Sequence, residues 1–209
     1  MKAKGGTEIQ LEELRKRLPK NYWNQISITT SVPEKNPIDP GRLNILWLKN
    51  SYDQPNVRPW FLIKENFYKY DWYVFNSHWS YEKYRMHFDL PTAKCFVIKN
   101  ALPKFDWQPK KFYEKGETLK LIHQITPWRG LNVLLGAMHF LQDEDITLDV
   151  YSSTQVYGDD FKNANDKYYQ PIYEHAKSMP NVNYKGYVPQ QEIFQALQES
   201  HVFAYPSIW

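Results

Sequence analysis

Four short loops carry the residues of this sequence whose types and spacing could do chemistry. The first is Lys4-Gly5-Gly6-Thr7-Glu8. Two glycines let backbone N–H groups approach an anion, and a helix beginning there would add positive potential. A plain Gly-Gly turn has the same sequence. The second spans residues 124–130, Gln-Ile-Thr-Pro-Trp-Arg-Gly. There the Thr126 hydroxyl, the Arg129 guanidinium and a helix starting at Gly130 converge, which suits an anionic oxygen. The structural alternative is a proline at a helix start beside a solvated arginine. The third is Tyr151-Ser152-Ser153-Thr154, whose small hydroxyl residues could line a ligand or cap the next turn. The fourth is Lys185-Gly186-Tyr187-Val188-Pro189, where glycine permits close backbone approach or simply turns a strand into a helix.

Other chemistries lack their signatures. The six histidines show no metal-ligand spacing. His123 precedes the second loop and reads as packing beneath it, and His78 lies beside a dense aromatic stretch. His87, His139, His175 and His201 read as structural or surface residues. No Gly-x-Ser-x-Gly elbow, Walker loop or Gly-x-Gly-x-x-Gly motif is present. The acidic pairs Glu144-Asp145 and Asp159-Asp160 read as solvated loop carboxylates. A single cysteine, Cys95, excludes an internal disulfide and argues against a cysteine-based zinc site, as expected in a reducing compartment.

The elements needed to hold these loops alternate along the chain. Leu11, Leu14 and Leu18 predict a helix from near Thr7 that Pro19 ends. Ile26 to Thr30 is β-branched and alternating, and Leu43 to Leu48 is the continuous apolar run of a buried parallel strand. Residues 60–84 hold eleven aromatics and predict a helix, a strand at Trp72 to Phe75, and a helix from about Ser77. A strand at Phe96 to Ile98 follows. Pro103, Pro109 and Gly116 mark a boundary, giving domains at 1–112 and 113–209. The second half restarts with strands at Leu119 to Ile122, Ile146 to Tyr151, Val182 to Tyr184 and Val202 to Tyr205. Helices are predicted at Gly130 to Leu141, Tyr168 to Lys177 and Gln190 to Glu199. The first of these is apolar almost all round, which predicts a sandwiched helix. The pattern is α/β, with two parallel-sheet units.

Composition narrows the classes further. The 209 residues suit one large or two small domains, and 17% aromatic content argues against disorder. No apolar run approaches the roughly 20 residues of a membrane helix. Residues 1–112 carry 19 basic and 11 acidic side chains, a net of +8, whereas residues 113–209 carry 7 and 12, a net of −5. A basic half could face anionic lipid, a phosphorylated acceptor or nucleic acid, or could simply be solvated.

In order, these motifs resemble the glycosyl transferases group 1 family, family 4 of the GT-B fold, over nearly the whole chain. Gly5-Gly6-Thr7-Glu8 resembles its Gly-Gly-x-Glu loop. Val74-Phe75-Asn76-Ser77 and Val97-Ile98-Lys99-Asn100-Ala101 are similar to the segments before its linker. Thr126-Pro127-Trp128-Arg129-Gly130-Leu131 with Leu134-Leu135, then Gly186-Tyr187-Val188-Pro189, Glu192-Ile193 and Ala204-Tyr205-Pro206-Ser207, follow in the family's order.

The resemblance implies a retaining transferase that uses a nucleotide-diphosphate sugar, with no metal or other cofactor. Arg129, with Thr126 and Gly130 backbone groups, would hold the diphosphate, and Gly5 and Gly6 would approach it from the first domain. Gly186, Tyr187 and Val188 would hold the base, and Tyr151 and Ser152 the nucleoside. Lys49, Asn50 and His78 would face a glycan or lipid-linked acceptor. Three departures qualify this picture. Four residues precede the Gly-Gly loop where the family has a strand, and the sequence stops where a Glu-x7-Glu motif is expected. Lys49 also stands where a related branch has histidine. The implied molecule is a fragment: a first Rossmann-like unit lacking its initial strand and a second incomplete at its C-terminus. It is expected to be inactive or nearly so alone, to self-associate through exposed sheet edges, and to be cytoplasmic with peripheral contact to anionic membrane. The competing classes are a non-catalytic nucleotide-sugar or glycan-binding module and, with no specific nucleic acid expected, a nucleic-acid-binding protein.

Overall fold

The computed structural model describes residues 5–108 and 112–207. They divide into two compact units, one at Gly6–Pro103 and one that groups Gly5 with the residues from Lys104 onward.

The first unit has helices α1 (Gly6–Arg17), α2 (Lys20–Trp23), α3 (Arg58–Phe61) and α4 (His78–Phe88). Its strands are β1 (Ile26–Thr30), β2 (Leu43–Leu48), β3 (Trp72–Phe75) and β4 (Cys95–Val97). They form one parallel sheet in chain order, β1-β2-β3-β4, with Ile28 opposite Ile45 and Trp47 opposite Val74. The Leu43–Leu48 run takes an inner position because Leu46, Trp47 and Leu48 are apolar and buried. Ser77 caps α4 by accepting a 3.1 Å bond from the Ser80 amide.

The aromatic stretch builds this unit's core. Phe61, Phe67, Tyr70, Tyr73, Phe75 and Tyr84 are all buried. The two deepest phenols are satisfied by carbonyls, Tyr73 donating to Phe67 at 3.1 Å and Tyr84 to Asn50 at 3.1 Å. Most of these aromatics are packing, and Tyr68 and Trp79 are the exposed ones in that stretch. Helix α1 contributes no buried residue.

The second unit has β5 (Leu119–His123), β6 (Ile146–Val150), β7 (Val182–Tyr184) and β8 (Val202–Phe203), with α5 (Leu131–Phe140), α6 (Asp159–Asn165), α7 (Gln170–Ser178) and α8 (Gln190–Glu199). Its parallel sheet has the order β7-β6-β5-β8. Strands are added outward from β5 to β7, and the chain then returns to place β8 on the other side of β5. That reversal is a topological switch point. Leu131, Leu134, Leu135 and Met138 of α5 pack with Leu148, Val150, Tyr173 and Val182.

Two expectations are corrected here. Helix α5 is not sandwiched: Val133 and Phe140 lie on an exposed face, Phe140 at 85%. Asp159 and Asp160 are not loop residues but the first turn of α6. Carboxylates are favoured there by the positive end of the helix dipole.

Candidate functional site

In the second unit the predicted loops all follow the carboxyl ends of the strands. Residues 124–130 leave β5, Tyr151 and Ser152 leave β6, and Gly186, Tyr187 and Val188 lie just beyond β7. Ala204 to Ser207 leave β8. Adjacent strands are about 4.8 Å apart, so these segments form one row. The switch point lies between β5 and β8, where open α/β sheets form their ligand crevice.

His123 ends β5 and is fully buried. Its Nδ1 lies 3.0 Å from the Ala204 carbonyl. A carbonyl only accepts, so Nδ1 carries the proton and donates, leaving Nε2 as a neutral acceptor. Burial pushes the His123 pKa down, and the bond to Ala204 opposes that shift. Nε2 is buried with no hydrogen-bond partner among the described residues. The Ser152 Oγ, after β6, is orphaned in the same way.

The loop after β5 is fixed by backbone geometry. The Arg129 amide donates to the Thr126 carbonyl at 3.0 Å, closing a turn. Gly130 follows at φ +88°, and a Cβ there would lie 2.3 Å from the Pro206 carbonyl oxygen. Glycine is thus required twice, by its dihedral and by close approach of the segment beyond β8. Arg129 is half-buried and forms no ion pair among the described residues. Arg129 stands one residue before the Gly130 N-cap of α5 in the chain. An unpaired cation beside a helix N-terminus favours an anion.

The hydroxyls of the third loop divide between structure and availability. Ser153 caps the following turn by accepting from the Gln155 amide at 3.1 Å, and Thr154 donates to Asp166 at 2.9 Å. Ser152 gives its carbonyl to the Tyr184 hydroxyl at 2.9 Å, which ties the β6 and β7 ends together. Tyr151 is half-buried, and burial first, then Asp149, Glu192 and Glu199, raises its pKa. Gly186 adopts φ +67°, and Tyr187 and Val188 after it are half-buried.

One feature was missed from sequence. Trp128 stacks on Tyr157 with ring centroids 5.8 Å apart and contacts Phe161 and Tyr169. These partners come from the segment after β6, so an aromatic wall flanks the arginine loop. The spacing Tyr157–Phe161, one helical turn, was the available signal.

In the first unit, Gly6 opens α1, and nothing within 4 Å would meet a Cβ there, so packing does not demand glycine. Gly5, half-buried just before it in the chain, groups with the second unit. Lys49 follows β2 and is half-buried. Its Nζ donates to Gln10 Oε1 at 2.7 Å and Asn100 Oδ1 at 2.8 Å, and lies 3.6 Å from the Trp47 ring centroid. These partners are neutral, and burial lowers its pKa to about 8. Asn50 spends its carbonyl on Tyr84, and His78 is exposed at the start of α4. The second unit thus assembles a row, whereas in the first Lys49 alone of the expected residues stands in a dense polar cluster. Among the described residues, no group of three or more His, Cys, Asp or Glu side chains could hold a metal, and no helix is long and apolar enough to cross a membrane.

No family model and no curated protein matches the chain. Solved structures do. The structure of TarM is similar over 96% of this chain and 39% of its own, with 18% identity and a TM-score of 0.55. TarM from S. aureus, as a variant in complex with fondaparinux, alpha-GlcNAc-glycerol and UDP, is similar over 96% and 40%, with 17% identity and a TM-score of 0.56. The Gap123 glycosylation-associated complex from Streptococcus agalactiae aligns over 95% of the chain at a TM-score of 0.44. The chain therefore spans about two fifths of the length of the structures that it matches. The class defined by two four-stranded parallel sheets and this likeness is a glycosyltransferase-like GT-B fold built of Rossmann-like units.

Proposed function

We propose that the chain carries the donor-binding part of a retaining glycosyltransferase, and that the carboxyl-end row of the second sheet binds a nucleotide-diphosphate sugar. The observation that carries this reading is Arg129: a half-buried arginine without an ion pair among the described residues, one residue before a helix N-cap in the loop beside a switch point. Transfer from such a donor leaves a diphosphate on which negative charge accumulates. A fixed cation and α5 amides aimed at that charge would lower the barrier with little reorganisation. The Ser152 hydroxyl and the Tyr151 and Gly186–Val188 segments would receive the nucleoside. The UDP and alpha-GlcNAc-glycerol bound to the TarM variant support a nucleotide and a glycan as ligand classes.

In this reading the first unit serves the acceptor. Lys49, unpaired by any carboxylate of the described residues, suits an anionic group on a glycan or lipid-linked acceptor. Gly5 and Gly6 remain candidates for the diphosphate, and Asn50 and His78 for the acceptor.

Isothermal titration with uridine and guanosine diphosphates tests the donor reading. The unmodified chain should bind one of them. Arg129→Ala should weaken that binding roughly 10–100-fold, the effect of losing a charged hydrogen bond of about 1.5–3 kcal/mol. Equal binding by both chains would remove Arg129 from the site.

A further inference from the structure

The connection from β6 to α7 runs through residues 151–169, whereas such connections usually take about 2–6 residues. The excess length is ordered. A turn of 3-10 helix at Thr154–Tyr157 leads into α6, and a second at Asp166–Tyr168 leads into α7. Ser153 caps the first turn. Thr154 donates to Asp166 Oδ1 at 2.9 Å, and the buried Tyr173 of α7 donates to the same oxygen at 3.4 Å. Lys162 of α6 reaches back to Gln155 Oε1 at 3.2 Å. The two ends of this excursion are thus tied to each other and to the core of the second unit.

Its aromatic side chains converge on one residue of the neighbouring loop. Tyr157 stacks on Trp128 with the ring planes 19° apart. The Phe161 and Tyr169 centroids lie 6.2 and 5.6 Å from the same indole, and Tyr157 and Phe161 meet each other at 5.1 Å. Three ring partners commit the half-buried indole to the protein.

The turn that carries Trp128 gives those contacts a consequence. The Arg129 amide bonds to the Thr126 carbonyl, so Thr126-Pro127-Trp128-Arg129 is a four-residue turn with Pro127 and Trp128 at its centre. Pro127 is buried and fixes its own φ. Gly130 follows at φ +88°, and glycine is the residue about which a backbone turns most freely. One backbone bond and one proline hold the shape of the turn. Its tilt is set by the wide ring packed against three others. Trp128 immediately precedes Arg129, so fixing that ring fixes the backbone from which the arginine side chain starts. A binding group is effective when its surroundings hold it within about 0.5 Å of its working position.

We propose that Trp128 is a positioning residue for Arg129, and that the excursion after β6 is the brace that makes it one. Nucleotide affinity then depends on Tyr157, which acts only through Trp128. That consequence for binding rests on the donor reading, whereas the bracing of the turn does not.

Two measurements on the full chain test it. Without ligand, hydrogen-exchange mass spectrometry should show residues 126–130 exchanging at least about fivefold faster in Trp128→Ala and in Tyr157→Ala, with β5 and β6 unchanged and Trp128→Phe close to the parent. With the uridine or guanosine diphosphate that binds, Trp128→Ala should weaken affinity about tenfold and Trp128→Phe no more than about threefold. Trp128→Ala added to Arg129→Ala should cost nothing further. A merely structural role would instead lower affinity equally in both backgrounds. Tyr157→Ala, at a half-exposed position, keeps the test decisive if Trp128→Ala fails to fold. Unchanged exchange at residues 126–130 in Tyr157→Ala would overturn the proposal, as would full additivity of Trp128→Ala with Arg129→Ala. If neither diphosphate binds the unmodified chain while exchange quickens as described, the donor reading falls and the bracing stands.

Discussion

Replacing Gly130 with alanine should destabilise the second unit by about 2–5 kcal/mol. Two costs combine. At φ +88° an L-residue loses roughly 1–2 kcal/mol. The new methyl would also lie 2.3 Å from the Pro206 oxygen and 2.8 Å from its carbonyl carbon. Both are backbone atoms, so no side chain can swing aside, and overpacking of this kind costs about 1–3 kcal/mol. The total is a large fraction of the 5–15 kcal/mol that holds a typical domain. Gly136→Ala is the internal control. It lies on the exposed face of α5 with nothing within 4 Å of a new Cβ, and should stabilise by about 0.5–1 kcal/mol. Urea unfolding of the three chains, followed by near-ultraviolet circular dichroism, measures both. The midpoint should fall for Gly130→Ala and rise for Gly136→Ala, with slopes unchanged. A Gly130→Ala midpoint within experimental scatter of the parent would refute the contact between the arginine loop and the segment beyond β8.

Three further outcomes are expected. Because burial lowers the His123 pKa, the unfolded chain binds the extra proton first; stability should fall as pH drops below about 6.5, and His123→Gln should flatten that fall in pH-dependent melting curves. Ser152→Ala removes a buried hydroxyl that has no partner, so it should leave the unliganded chain as stable or slightly more so while weakening nucleotide binding, read by melting with and without diphosphate. Lys49 should titrate near pH 8 in 13C-methyl NMR of the reductively methylated chain, below the ordinary lysine value of about 10.4, and Gln10→Leu should move that titration by removing one acceptor of the charged form.

Much of the architecture was legible because strands announce themselves locally. Ile26–Thr30, Leu43–Leu48, Trp72–Phe75 and Val182–Tyr184 are short β-branched, aromatic or apolar runs with turn residues around them, and the structure places strands over those same residues. Helix α6 escaped because Asp159-Asp160 was judged by polarity rather than by position, although acidic residues favour a helix start. Helix α5 was expected over Gly130 to Leu141, but its exposed face was not. Its sequence is apolar almost all round, and only the packing shows which face stays exposed.

The site was legible as loops but not as partners. Arg129 and Gly130 stand out in sequence, yet the reason for glycine is a carbonyl 76 residues away, at Pro206. The His123 bond to Ala204 spans 81 residues, and the Lys49 cluster joins Gln10 to Asn100. Such contacts follow from strand order, and nothing local states that β8 returns beside β5. Composition likewise could not separate a stacking platform from a core. Phe61, Tyr73 and Tyr84 resolve that question by being buried, and the aromatic wall beside Arg129 comes instead from Trp128 and Tyr157.

Hydrogen-exchange mass spectrometry of the chain with and without the diphosphate that binds tests the central claim most directly. Slowed exchange confined to residues 124–130, 151–154 and 185–188, and lost in Arg129→Ala, is the predicted result. Protection elsewhere, or none in these three segments at saturating nucleotide, would contradict the assignment of the donor to the carboxyl end of the second sheet.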